Sequence, residues 1–175
     1  MADASDAAGG SEGQGAAARP AATARFPLDN VDSFRGPTAS QAAGLTLGAA
    51  KAVMKAAMAE GRRIGVAMSV AVVDQGGQLV AFERMDGADL VTIGLAQDKA
   101  WTALMNRMPT RDLAPLVQPG AEFYGYESIG HGRTIVFAGG MPLLRDGILV
   151  GGVGVSGGSV EEDQAAADAA VAAFG

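Results

Sequence analysis

The chain has no cysteine and a single histidine, His131, in 175 residues. Without thiols there are no disulfides, no thiolate zinc or iron–sulfur sites and no cysteine nucleophile. With one imidazole, a metal site built from several histidines cannot form within one chain. Aromatic side chains are scarce as well: one Trp, two Tyr and six Phe. No run of 18 or more apolar residues exists, which predicts no membrane span. The first residues, MADASDAAGGSEGQG, carry neither the basic patch nor the apolar stretch of a secretory signal. Basic residues are outnumbered 13 to 19 by acidic ones, and a net charge of −6 lacks the electrostatic footprint of a nucleic-acid binder. The expectation is a cytoplasmic protein with no nucleic-acid or membrane partner.

What is present is small and apolar. Alanine supplies 36 residues and glycine 26, and only five of the 49 large apolar side chains precede residue 45. Residues 1–44 are therefore expected to be a disordered or extended N-terminal segment, unable to offset chain entropy by burial. Within it, Phe26, Leu28, Val31 and Phe34 suit either a strap across the domain or a neighbouring subunit, or a linker. Residues 45–175 are rich enough in large apolar side chains to form one domain with a buried core.

Local signals order that domain. Thr46 is placed to cap a helix whose apolar positions Leu47, Ala50, Val53 and Met54 recur at helical spacing, with Gly61 as its stop. Val66–Val73 and Gln78–Arg84 read as a hairpin about Asp74-Gln75-Gly76-Gly77. Asp89 is a candidate cap for a helix over 90–106, with Ile93, Ala96, Ala100 and Leu104 on one face, and Thr110 begins a short turn. Thr134–Ala138 reads as a third strand, and Met141–Arg145 and Ile148–Val155 flank the hairpin signal Asp146-Gly147. Ser159 and Glu162 form a capping box for a last helix to about Ala173. The sum is an α/β (α+β) domain with a five-stranded, mostly antiparallel sheet flanked by helices.

Two apparent motifs dissolve on inspection. Gly152-Val153-Gly154-Val155-Ser156-Gly157 fits G-x-G-x-x-G, yet no further strand with a ribose-binding acid can follow in the 18 residues left. Glu161, Glu162 and Asp163 in the first turn of the next helix would also repel a pyrophosphate. Close packing of a glycine strand explains the pattern better. Gly154–Gly158 also fits G-x-S-x-G, but His131 precedes the serine and the strand-to-helix context of a nucleophile elbow is missing. Ser156 remains a candidate hydrogen-bond donor to a ligand.

Chemistry-bearing residues gather elsewhere. Glu122, Tyr124, Tyr126 and Glu127 crowd one loop of an aromatic-poor chain, and such loops line sites. His131, between two glycines, is either a solvated loop residue or a general base. Arg84 and Asp86 lie between a strand and a helix and suit a polar ligand, with Lys99 on the helix beyond; an Asp-Gly turn and a helix cap would explain them equally. Gly139 and Gly140 offer backbone N–H groups to an anion, or form a plain β-bulge.

In order along the chain stand Leu45-Thr46-Leu47, Ile64-Gly65-Val66, Ala71–Phe82, Arg84-Met85-Asp86-Gly87-Ala88, Lys99-Ala100, Pro119-Gly120, Tyr124-Gly125, Gly139–Leu143 and Gly152–Gly158. As an ordered set, over about Leu45 to Phe174, these resemble the GlcG/HbpS-like (haem-degrading domain) family. The resemblance implies a profilin-like fold and a homo-oligomer. It also implies links to haem binding and degradation, to glycolate utilisation and to a domain fused to corrinoid adenosyltransferases. Haem is then a candidate cofactor; His131 stands where the family tends to have glycine or asparagine and is not carried over as a family ligand, and with no cysteine the iron ligands this chain offers are His131, Tyr124, Tyr126 or a methionine. Arg84, Lys99 and Arg133 are candidates for its propionates. Asp98 and Trp101, beside Lys99, depart from the family pattern and are placed to reshape a pocket.

Two functions follow. The first is a small-ligand-binding protein holding haem or a related carboxylate-bearing ligand, with Arg84, Asp86, Lys99, Tyr126, Gly139, Gly140 and Ser156 as contacts. The alternative is a cofactor-independent isomerase, lyase or cyclase acting on a small metabolite. In that case Glu122, Tyr124, Glu127 or His131 would move the proton in a subunit cleft.

Overall fold

The structure is a computed structural model and describes residues 44–174. The expectations for residues 1–43, the strap or linker among them, lie outside these residues. The described chain is α+β, in the order α1 (Leu47–Ile64), β1 (Ser69–Asp74), β2 (Leu79–Arg84), α2 (Val91–Asn106), α3 (Thr110–Leu113), β3 (Gly140–Arg145), β4 (Ile148–Ser156) and α4 (Val160–Ala172). Thr46 caps α1 as its spacing predicts, its hydroxyl accepting from the Ala49 N–H at 3.2 Å. The stop, however, is Gly65 and not Gly61. Gly65 takes the left-handed conformation (φ 77°) and donates to the carbonyls of Gly61 and Arg62. Gly61 stays helical and buried because Met68 packs on it: a Cβ there would lie 2.9 Å from the Met68 sulfur. It is a contact glycine in place of a terminator.

The sheet has the order β2-β1-β4-β3 with every pair antiparallel. Both hairpins form where their turns predict. The Asp74 carboxylate accepts from the Gly76 and Gln78 N–H groups, each at 2.9 Å, and Asp146 and Gly147 both adopt positive φ. Four strands, not five, are present among the described residues, because Thr134–Ala138 does not join the sheet. Its β-branched run satisfies the local pattern of a strand, but the segment lies along α2 and not on an edge of the sheet. The Ile135 N–H turns instead to the Thr102 hydroxyl on α2, at 3.0 Å.

The two faces of the sheet are covered differently. Val70, Val72, Leu143, Val153 and Val155 point into the main core, which includes Val53, Met54 and Met58 of α1 and Ala166, Ala167 and Ala170 of α4. Burying each such valine contributes about 1.5–3 kcal/mol. The opposite face presents Ala71, Val73, Gly152 and Gly154 to α2, which meets it with Ala96, Ala100 and Leu104. A Cβ on Gly154 would collide with the Ala96 carbonyl, and one on Gly152 with that of Ala100. This is the physical content of the glycine-rich motif: helix and sheet backbones approach closely. The Ser159–Glu162 capping box opens α4 with both reciprocal bonds in place.

At the start of α2, Asp89 does not cap with its side chain. Its main-chain carbonyl accepts from the Thr92 N–H and hydroxyl at 3.1 and 2.6 Å. Gly94, one turn on, has open space where a Cβ would sit. Gly94→Ala is expected to stabilise the fold by about 0.5–1 kcal/mol, since only the chain-entropy cost of glycine in a helix is removed. The shift in denaturant midpoint measures it.

Candidate functional site

The long connection from α2 to β3 folds back along α2 and meets its turns in reverse order. Arg107 ends the helix in the left-handed conformation (φ 55°). The Tyr126 hydroxyl then donates to the Asn106 side-chain carbonyl at 2.6 Å. Gly130 lies against the Trp101 ring, where a Cβ would come within 2.8 Å of it. The Thr102 hydroxyl donates to the Arg133 carbonyl at 3.1 Å. Arg133 donates through Nε to Asp98 at 2.8 Å and stacks its guanidinium 4.8 Å from the Trp101 ring centroid. Phe137 lies over the Lys99 ammonium, 4.9 Å from the ring centroid.

His131 stands at the turn of this connection. Gly130, His131 and Gly132 all take positive φ (71°, 59° and 78°). Glycine does so freely, whereas a side-chain-bearing residue is disfavoured there and persists only where its surroundings impose it. The surroundings are the Thr134 hydroxyl donating to the Ile129 carbonyl (2.9 Å) on one side and the Arg133–Asp98 pair on the other. The imidazole is exposed. Beneath the loop, Asn106, Met108, Leu113, Leu116, Val117, Phe123 and Tyr126 line an apolar cavity of about 190 Å³.

Lys99 is not on the surface. Its side chain is fully buried, and its ammonium donates to the Asp163 carboxylate at 2.5 Å and to the Val155 carbonyl at 3.0 Å. The second Asp163 oxygen accepts from the Gly157 and Gly158 N–H groups, each at 2.9 Å. This one pair ties α2 to α4 and to the end of β4. Burial pushes the Lys99 ammonium below the usual lysine value of 10.5, while Asp163 pulls it back up. The position predicted as a ligand contact is thus occupied inside the protein.

The other residues singled out from the sequence fall into three places. Glu122, Tyr124, Glu127 and His131 are exposed on the connection, and Tyr126 is half-buried beside them. Arg84 and Asp86 are elsewhere. A guanidinium N–H of Arg84 donates to the Ala88 carbonyl, ahead of α2, whereas Tyr126 is tied to the last residue of that helix. The helix between them spans about 24 Å. Gly139, Gly140 and Ser156 are buried. The Gly139 N–H goes to the Gln164 side chain (3.4 Å) and the Gly140 N–H to the Thr110 hydroxyl (3.0 Å), so both are engaged within the protein. A Cβ on Gly139 would lie 2.9 Å from the Lys99 nitrogen. Sequence reasoning missed Asp163 as the partner of Lys99, reading it only as an acid in a first helical turn. It also missed Asn106 and Thr102. Nothing local to these residues marks their partners, which lie 20 or more positions away.

A small α+β domain with one helix-backed, polar-aromatic connection is the class of protein that fold and site define. The family follows directly: the model described as haem degrading protein HbpS-like matches residues 45–172, and the chain belongs to that family. The chain is 39% identical over 134 residues to a 15.0 kDa protein of Citrobacter freundii from the dhaT–dhaS intergenic region, covering 77% of this chain and 94% of that one. It is 45% identical over 120 residues to the corrinoid adenosyltransferase PduO of Salmonella typhimurium, covering 69% of this chain. That match spans only 36% of the length of PduO. Among solved structures, a PduOC–haem complex aligns with a TM-score of 0.72 and 42% identity, covering 74% of this chain and 94% of that one. No described helix is long and apolar enough to cross a membrane.

Proposed function

We propose that residues 45–175 form a small-ligand-binding domain that takes haem, or a related carboxylate-bearing ligand, on the surface presented by residues 121–133. The observation that carries this reading is His131. Its backbone is held in an unfavourable conformation by contacts on both sides, and its imidazole is turned to solvent. The donor chemistry fits haem, since a neutral imidazole is a common axial ligand of haem iron. Arg133, two residues on, is fixed through Nε to Asp98, and its outer N–H groups suit a propionate. Bound haem would supply a redox-active iron. The chain would supply the His131 imidazole nitrogen to hold it, the Arg133 guanidinium to anchor a carboxylate and the apolar edges of Tyr124 and Ile129.

We infer further that the protein is a homo-oligomer and works in the cytoplasm. Small-molecule sites usually measure about 300–1,000 Å³, so the cavity of about 190 Å³ beneath the loop is too small for a haem-sized ligand. A haem at His131 therefore lies on an open surface, where Phe123, Tyr124 and Ile129 are exposed, and a second copy covers it. The match of this chain to a haem-complexed relative supports the ligand class.

Hemin titration tests the proposal with two signals. The Soret band shifts on iron ligation, and the fluorescence of Trp101, the only tryptophan, is quenched because its ring packs on Gly130 beside the site. His131→Ala is expected to weaken hemin binding about tenfold or more, equivalent to about 1.4 kcal/mol. A free-hemin spectrum in the presence of the wild-type protein overturns it. That result would favour the cofactor-independent enzyme, with Glu122, Tyr124, Glu127 or His131 as its proton-transfer group.

A further inference from the structure

Away from the α2 connection, the outer face of α1 carries a cationic stripe that the haem reading does not use. Lys51, Lys55 and Arg62 follow one another at spacings of four and seven, which places them along one side of the helix over about 16 Å, with the core residue Met58 at its buried edge. Arg84, at the end of the edge strand β2, joins the same side. Two adjoining depressions of about 330 and 380 Å³ share Met58, Arg62 and Glu83. Lys51 and Lys55 line the first, and Arg84 and Asp86 the second. All four cations are exposed.

Among the described residues, none of these four forms an ion pair, whereas the neighbouring Arg63 is held to Glu60 at 2.6 Å. Like charges at i and i+4, as Lys51 and Lys55 are, cost a helix a few tenths of a kcal/mol. Here four of them converge in a chain whose net charge is −6. Arg84 is braced by its bond to the Ala88 carbonyl at 3.3 Å, so its fork is partly oriented before any ligand arrives.

We propose that this face is a binding site for a small, phosphate-bearing polyanion, separate from the His131 surface. Two guanidinium forks and two ammonium groups match the geometry of phosphate oxygens better than that of a single carboxylate. Half-buried Met85 in the second depression offers an apolar contact to the ligand. Glu83 in the shared wall and Asp86 at the far end restrict the anion to the cationic side. Both would repel a continuous polymer such as a nucleic acid, which runs its charge along the whole groove.

Calorimetric titration of the full chain with tripolyphosphate tests the site. Saturable binding at one equivalent per chain is expected, weakened about tenfold or more in Arg62→Gln/Arg84→Gln. Arg63→Gln, which changes a residue already paired, is expected to leave the affinity within about twofold of the wild type. Hemin binding in the double variant is expected to be unchanged, which separates this site from the His131 reading. No saturable binding, equal binding by the double variant, or tighter binding of a single-stranded oligonucleotide than of tripolyphosphate each overturns the proposal.

Discussion

Lys99→Met is expected to destabilise the protein by about 3–5 kcal/mol, enough to lower its denaturant midpoint well outside error. The ammonium is wholly buried, and removing it leaves the Asp163 carboxylate without its counter-charge at a position only 5% exposed. Asp163 cannot swing to water, because its other oxygen holds the Gly157 and Gly158 N–H groups. Lys99→Met/Asp163→Asn is therefore expected to recover much of the loss. The asparagine carbonyl keeps both backbone bonds, and no uncompensated charge stays buried. A loss below about 1 kcal/mol in the single variant would show that the pair is open to solvent. The pH dependence has a definite sign. Folded Lys99 holds its proton less tightly than the unfolded chain does. Between its lowered value and 10.5 the unfolded state thus binds more protons, and the stability linked to this group rises with pH across that window. Equilibrium unfolding in alkaline buffers is expected to show that rise in the wild type and its loss in Lys99→Met.

Gly154→Val is expected to be the most damaging change on the sheet. The new side chain would meet the Ala96 carbonyl and the Ala100 nitrogen, which are main-chain atoms of α2 and have no rotamer by which to yield. Overpacking costs about 1–3 kcal/mol where side chains can adjust, and here the helix itself must move. Lifting α2 would also separate Trp101, Thr102 and Asp98 from the connection that they hold. The expected result is loss of soluble protein, or a folded remnant in which hemin no longer quenches Trp101. Gly154→Val of wild-type stability would mean that α2 does not pack on β4 in this way.

The legible parts of the fold share a cause. Thr46, the Ser159–Glu162 box, Asp74 and Asp146-Gly147 act through bonds to residues at most four positions away, so their geometry can be read from adjacent letters. The glycine pattern of Gly152–Gly158 was legible as packing once the charges after it excluded a phosphate. The misread elements fail for a common reason too. Thr134–Ala138 has the composition of a strand, but whether it becomes one depends on where the fold carries it, and it lies along α2, bonded to Thr102, and not on a sheet edge. Gly61 has the composition of a stop, but Met68 needs its missing Cβ.

The site divides the same way. Crowding of Glu122, Tyr124, Tyr126 and Glu127 on one loop, and the isolation of His131 between glycines, are visible in the chain itself. Only the folded chain shows that this loop is backed by α2, that Arg84 and Asp86 lie at the far end of that helix, and that Lys99 is occupied by an acid 64 positions away.

No thiol and one imidazole exclude thiolate ligation of a haem iron and restrict imidazole ligation to His131 within a chain, whatever the fold. By itself the sequence determined the chemical inventory, the Thr46 and Ser159 helix caps, the hairpins and the family. Tertiary structure alone decided which of those groups face solvent and which are used up inside. Burial and pairing are set by contacts between distant segments, and a buried lysine and an exposed one are written with the same letter.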